Sequence, residues 1–98
     1  MKISEMTIEM LAEYLRLDYS SLTEAEQTEL TVMYNAACSF IYGYTGLTAE
    51  EADSHDDFAV VVYVLVQDMY DNRNLYVDKS NCNKTVESIL AMHAGNLL

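Results

Sequence analysis

Nine apolar residues follow one another without a break from Phe58 to Val66, in a chain of 98 residues that carries sixteen acidic and five basic side chains. This run is about half of the roughly 20 residues needed to cross a bilayer, and Gln67 and Asp68 end it, so no membrane span is expected. The surrounding segment, residues 55–74, contains no Pro or Gly. It is far longer than the ~5 to 6 residues of a usual strand. The segment therefore predicts a helix, although its β-branched valines would also suit a buried strand.

The rest of the chain also favours helices. Pro is absent and only three Gly are present, which leaves long stretches without a residue that breaks a helix. We predict one all-α domain over residues 1–98, a small bundle of about four helices joined by a long acidic loop and a polar loop. The approximate bounds of these helices are 7–16, 23–44, 55–74 and 84–94.

Capping residues support these bounds. Thr23, followed three residues later by Glu26, has the spacing of a capping box. Gly46 and Gly95 stand where the second and the last helix should end. One turn of helix is also possible after Thr48. The other candidate caps are Thr7 for the first helix, Ser54, Asp56 and Asp57 for the third, and Asn83 for the last.

The third helix has more apolar surface than a small domain can cover. At about 100° per residue, one side carries Phe58, Val62, Leu65 and Met69 and should face the core. Val60 and Val64 point to the opposite side, with Val61 at its border. An exposed valine patch predicts contact with other copies of the chain, unless the 47–53 loop folds over it. The predicted interface residues are Val60, Val61, Tyr63, Val64, Arg73 and Tyr76.

The sequence contains no catalytic or cofactor-binding motif, and we predict neither an enzyme nor a bound cofactor. His55 lies four residues after Glu51 and is followed by two acids, and such a group of side chains could line a metal pocket. Two histidines in the whole chain give little support for such a site, and helix capping explains the acids, so no metal is predicted. The segment MKISEMTIEM lacks the apolar stretch of a signal peptide, and Cys38 and Cys82 are expected to be reduced thiols.

Four segments of the chain, taken in order, carry a family resemblance. They are MLAEYLRLDYSS near the start, AACSFIYGYTGL closing the second helix, VQDMYDNRN ending the third and VESILAMHAGNLL at the C-terminus. In this order they resemble the phage head-tail connector family, whose members are also described as DNA-packaging proteins. The resemblance covers nearly the whole chain.

The resemblance implies a helical adaptor that assembles as a ring, expected to be dodecameric, under the portal of a tailed phage or prophage. Its partners would be other copies of itself, the portal protein and the next neck or tail protein. Its location would be the virion neck, after assembly in the host cytoplasm. The ring would extend the DNA channel, and DNA would pass through it without specific binding.

The acids suit such a channel, because its wall should repel phosphates. Residues 1–57 hold twelve acids against two basic residues, and no patch of Lys and Arg is present to hold DNA. A solvated outer face is the alternative role for these acids. The candidates for a negative wall or rim are Glu24, Glu26, Glu29, Glu50, Glu51, Asp53, Asp56 and Asp57.

Two functions of other classes stay open. The segment DYSSL is similar to the phosphopantetheine attachment site of an acyl carrier protein, with Ser21 as the acceptor. Ser20 stands where that site has Asp, and only one short helix precedes it. The other alternative is an acidic DNA-mimic inhibitor, which would bind a nuclease or a repressor tightly instead of assembling with itself.

Overall fold

Helices make up the regular secondary structure of the computed structural model, which describes residues 1–79 and 83–93. Two short 3₁₀ turns, Ile3–Glu5 and Tyr19–Ser21, lie on either side of the first helix. The all-α prediction is confirmed. Cys82 and the predicted stop at Gly95 lie outside the described residues. The helices are α1 (Ile8–Tyr14), α2 (Glu24–Thr45), α3 (Ala49–Ala52), α4 (Phe58–Asn72) and α5 (Lys84–His93).

Capping boxes start α2 and α3. The Thr23 hydroxyl accepts the Glu26 N–H at 3.1 Å, and the Glu26 carboxylate accepts the Thr23 N–H at 3.0 Å. Thr48 and Glu51 repeat this arrangement at α3. Each box satisfies two N–H groups that the first helical turn leaves without partners. Single side-chain caps, also predicted, start α1 at Thr7 and α5 at Asn83.

α4 begins at Phe58, later than the predicted residue 55. Asp57 takes the N-cap position, but its side chain makes no capping bond. Oδ2 of Asp57 lies 3.0 Å from Nε2 of His93 instead. The Ser54 hydroxyl donates to the Glu51 carbonyl, and the Asp56 carboxylate accepts from the N-terminal amine. The prediction that these three side chains cap the helix was therefore wrong, because other parts of the chain engage each of them.

The core forms where α2 packs against α4, with α1, α5 and the N-terminal 3₁₀ turn closing around this pair. The inner stripe predicted for α4 is buried, from Phe58 to Met69. In α2, Tyr34 is only half-buried, and its hydroxyl donates to the Ile3 carbonyl, which ties the N-terminal turn to α2. The residues that α2 buries at helical spacing include Leu30, Met33, Ala37 and Ile41.

Two helices end in a left-handed residue that carries a side chain. Arg16 has φ 61° after α1, and Arg73 has φ 56° after α4. At α4 the Arg73 N–H returns to the Tyr70 carbonyl, and the Asn74 N–H returns to the Met69 carbonyl. This is the Schellman pattern, in which glycine is the usual left-handed residue. Each arginine therefore holds a backbone conformation that its Cβ makes unfavourable.

Replacing either arginine by glycine should stabilise the fold. We expect Arg16→Gly and Arg73→Gly each to raise the free energy of unfolding by about 1 kcal/mol, because glycine adopts positive φ without the Cβ clash. Urea denaturation followed by circular dichroism measures the change. Arg16→Ala and Arg73→Ala are the matched controls, since they remove the same side chain but keep the Cβ. Glycine variants no more stable than the alanine variants would refute this account of the helix ends.

Candidate subunit interface

One side of α4 remains in contact with solvent in the single chain. Val60 exposes 49% of its surface, and Tyr63 and Val64 on the same side of the helix are half-buried. The Tyr63 ring stacks on Tyr14 of α1, with ring centres 4.6 Å apart and planes at 27°. Tyr14 is itself 42% exposed. Two helices thus build one apolar and aromatic surface, called here the outer α4 face: Tyr14, Val60, Tyr63 and Val64.

Val61 does not belong to this face. It is fully buried in the core, which corrects the prediction that it borders the exposed side. The reason is that α2, α5, α1 and the N-terminal 3₁₀ turn all contact α4, so the core extends further around this helix than the periodicity alone indicates. The alternative, in which residues 47–53 cover the patch, does not hold for Val60, which stays half-exposed.

Arg73 lies at the other end of α4, about 20 Å from Val60 at 1.5 Å per residue. Its guanidinium carbon is 5.1 Å from the centre of the Tyr70 ring, within the range of a cation–π contact. It also borders a small cavity of about 60 Å³ together with Glu26 and Glu29 at the start of α2. The Arg73 side chain is thus engaged within its own chain.

Tyr76 follows α4 and is 63% exposed, next to Leu75 at 48%. These two residues are called here the post-α4 patch. A cleft of about 580 Å³ separates this segment from the C-terminal half of α4. Apart from the buried Val61, the predicted interface residues are therefore divided between two surface regions, one at each end of α4. Residues lining the cleft include Leu65, Met69, Asn72, Tyr76 and Val77.

The eight predicted channel acids also fall into two groups. Glu24, Glu26 and Glu29 lie in the first turns of α2, whereas residues 50–57 follow its last turn. Arg73 at the end of α4 borders the first group, and the second group directly precedes Phe58 at the start of α4. The 15 residues of α4 therefore separate the two groups by about 20 Å at 1.5 Å per residue. They form two separate acidic regions, not one continuous strip.

Half of these eight acids also bond other parts of the fold. Asp53 accepts the Ser4 hydroxyl at 2.6 Å, and this bond lowers the pKa of the Asp53 carboxyl. The backbone N–H of the threonine in each capping box likewise lowers the pKa of Glu26 and of Glu51. Asp56 pairs with the N-terminal amine at 3.2 Å. A role in folding therefore accounts for these carboxylates whether or not they face a channel.

A cluster of two imidazoles and a carboxylate lies beside the second acidic group. His55, Asp57 and His93 each place one ligand atom within 4.8 Å of the other two. Among the described residues, a search for His, Cys, Asp and Glu side chains that could together hold a metal ion finds this group. Sequence spacing pairs His55 with neighbouring acids but gives no sign of His93, which only the fold brings to this place.

Cys38 and Ser21, whose side chains could in principle react covalently, lie apart from this cluster in sequence. Cys38 is buried in α2, and burial raises the pKa of its thiol, which disfavours the reactive thiolate. Ser21 is in the 3₁₀ turn after α1, where its hydroxyl donates to an Asp18 carboxylate oxygen at 2.9 Å.

Low pH should destabilise the fold by protonating the carboxylates of Glu26, Glu51 and Asp53. The pKa of Glu26, Glu51 and Asp53 is lower in the folded state than in the unfolded state. Their contribution to stability is therefore complete above the usual carboxyl pKa of about 4 and is lost as pH falls through the folded-state pKa. We expect Ser4→Ala to raise the pKa of Asp53 in an NMR titration and to weaken the loss of stability in acid. Asp18, which bonds Ser20 and Ser21, is the internal control and should titrate unchanged. An unaltered Asp53 titration would contradict the role of Ser4.

Comparison of this chain with protein-family models, with curated proteins and with solved structures finds no match. In the part of the chain that the structure describes, no helix combines the length and the apolar character needed to span a bilayer. The support for a function therefore comes from the exposed surfaces described above and from the resemblance of the four sequence segments.

Proposed function

We propose that this protein is a structural head-tail connector of a tailed phage or prophage, which assembles as a ring under the portal. The observation that carries the proposal is the outer α4 face, where a half-exposed valine lies beside two stacked tyrosines. Aromatic side chains are enriched at protein interfaces because they combine a large apolar surface with a polar tip. A second copy of the chain is the proposed occupant of this face.

A ring requires two different contact surfaces on each copy, because each copy meets one neighbour on either side in a head-to-tail manner. The outer α4 face and the post-α4 patch satisfy this requirement. They lie about 20 Å apart along α4, at 1.5 Å per residue. In the proposed ring, the outer α4 face of one copy packs against the region of Leu75 and Tyr76 on the next.

The charge distribution suits a passage for DNA. Each copy carries a net charge of −11, with no basic patch that would hold phosphates. In the proposed ring, the two acidic regions of each copy form two negative rims around the passage. Such rims repel the DNA backbone, so DNA slides through without being retained.

The same charge opposes assembly, since every added copy brings more negative groups together. Salt reduces this repulsion, because the screening length falls from about 10 Å at 0.1 M to about 3 Å at 1 M. Apolar contacts are not weakened by such screening. Assembly of the free protein is therefore favoured by high ionic strength, which would weaken an assembly held by salt bridges.

A charge on the outer α4 face should prevent assembly. We expect light scattering at 1 M salt to give a mass well above the 11.1 kDa of one chain for the wild type, and a mass near one chain for Val60→Asp. Val32→Asp is the matched control, since Val32 is an exposed valine of α2, 38% accessible, outside this face. It should assemble like the wild type.

The portal protein provides the second part of this experiment. A wild-type chain that stays monomeric alone, but joins a ring on portal particles, agrees with the proposal. A wild-type chain that stays monomeric in both settings contradicts it, and so does a Val60→Asp variant that assembles normally.

The acyl-carrier alternative predicts a modified Ser21. We expect no mass gain when the protein is incubated with coenzyme A and a phosphopantetheinyl transferase, because only one seven-residue helix precedes Ser21. Intact-mass spectrometry gives the result, with a known acyl carrier protein as the positive control. A phosphopantetheine adduct that disappears in Ser21→Ala would contradict the connector proposal. Tight binding of a nuclease or repressor without self-assembly would favour the DNA-mimic alternative.

A further inference from the structure

We propose that His55, Asp57 and His93 bind a divalent transition-metal ion, with Zn²⁺ the best match, and that the ion fastens the end of α5 to the turn before α4. The proposal is independent of the connector function. The chain contains two histidines, His55 and His93, and the fold places both next to the carboxylate of Asp57.

The distances suit a small coordination shell. Nε2 of His93 lies 3.0 Å from Oδ2 of Asp57. Zinc binds nitrogen and oxygen ligands at about 2.0 to 2.2 Å, so two ligands of a tetrahedral ion lie about 3.3 Å apart. The ligand atoms of the three side chains are within 4.8 Å of one another, which exceeds this separation by at most about 1.5 Å.

The imidazole rings are held in place before any ion arrives. The His55 and His93 rings have centres 4.1 Å apart, and the fully buried Phe58 ring contacts both, at 5.1 Å and 4.9 Å. Phe58 meets His93 edge to face, with an angle of 87° between the planes. Side chains that are already positioned lose less freedom on binding, which favours affinity.

The ligand types point to the class of metal. Imidazole nitrogen binds zinc, copper and nickel ions, whereas calcium and magnesium prefer shells made of oxygen atoms. Two histidines and one carboxylate supply three protein ligands and leave a fourth position for water. The acids Glu51 and Asp53 lie in the same segment of chain, and their negative charge attracts a cation.

The ion would join two parts of the chain that are far apart in sequence. His55 and Asp57 belong to the turn before α4, whereas His93 is the last residue of α5. A hydrogen-bonded pair between His93 and Asp57 already links them at 3.0 Å. That pair alone is the competing explanation of the cluster. It needs no metal and assigns no role to His55.

Zinc titration of the untagged full-length protein by calorimetry tests the proposal. We expect saturable binding of one ion per chain, at least 10-fold weaker in each of His55→Ala, Asp57→Asn and His93→Gln. His93→Gln keeps a hydrogen-bond donor for Asp57, so it removes the ligand without removing the link. Asp56→Asn is the matched control, because Asp56 is adjacent in sequence but bonds the N-terminal amine, and it should bind zinc like the wild type.

Two further measurements separate this site from other zinc ligands. A Cys38→Ser, Cys82→Ser double variant should bind zinc unchanged, since no thiol takes part. Zinc at 100 times its dissociation constant should raise the melting temperature of the wild type by about 10 °C, and much less in His55→Ala. The absence of saturable binding, binding that the histidine variants retain, or binding that the double cysteine variant loses would each overturn the proposal.

Discussion

The packing of α2 against α4 is the contact on which the remaining structure depends. It buries the inner sides of both helices. The shorter elements, α1, α5 and the N-terminal 3₁₀ turn, pack against the remaining sides of this pair. In a domain of this size the available elements cannot surround α4 completely. The part of α4 that they leave in solvent, around Val60, is the surface to which we assign assembly.

The sequence predicted the features that depend on local chemistry. The capping box at Thr23 and the stop at Gly46 both form, because each depends only on residues within one turn of the helix end. The inner stripe of α4 followed from helical periodicity, which also depends on local spacing. The division of the acids into two regions was visible only in part, since their distance depends on how residues 50–57 lie relative to α2.

The errors came from partners that are distant in sequence. Asp57 does not cap α4 because His93, on the last helix, engages its carboxylate. Val61 is buried because elements on several sides contact α4, and no periodicity reveals how many neighbours a helix has. The left-handed conformation of Arg16 was also missed, because arginine gives no local signal of the kind that glycine gives at Gly46. The cluster of both histidines with Asp57 escaped sequence reasoning in the same way.

The central claim is that other copies of the chain cover the outer α4 face. Electron microscopy of the particle assembled on a portal, at a resolution that shows side chains, tests it most directly. The account predicts that Val60 and Tyr63 of each copy lie against an adjacent copy, with the two acidic regions facing the passage. A ring in which Val60 faces solvent, or a particle in which neighbouring copies meet through other surfaces, would contradict it.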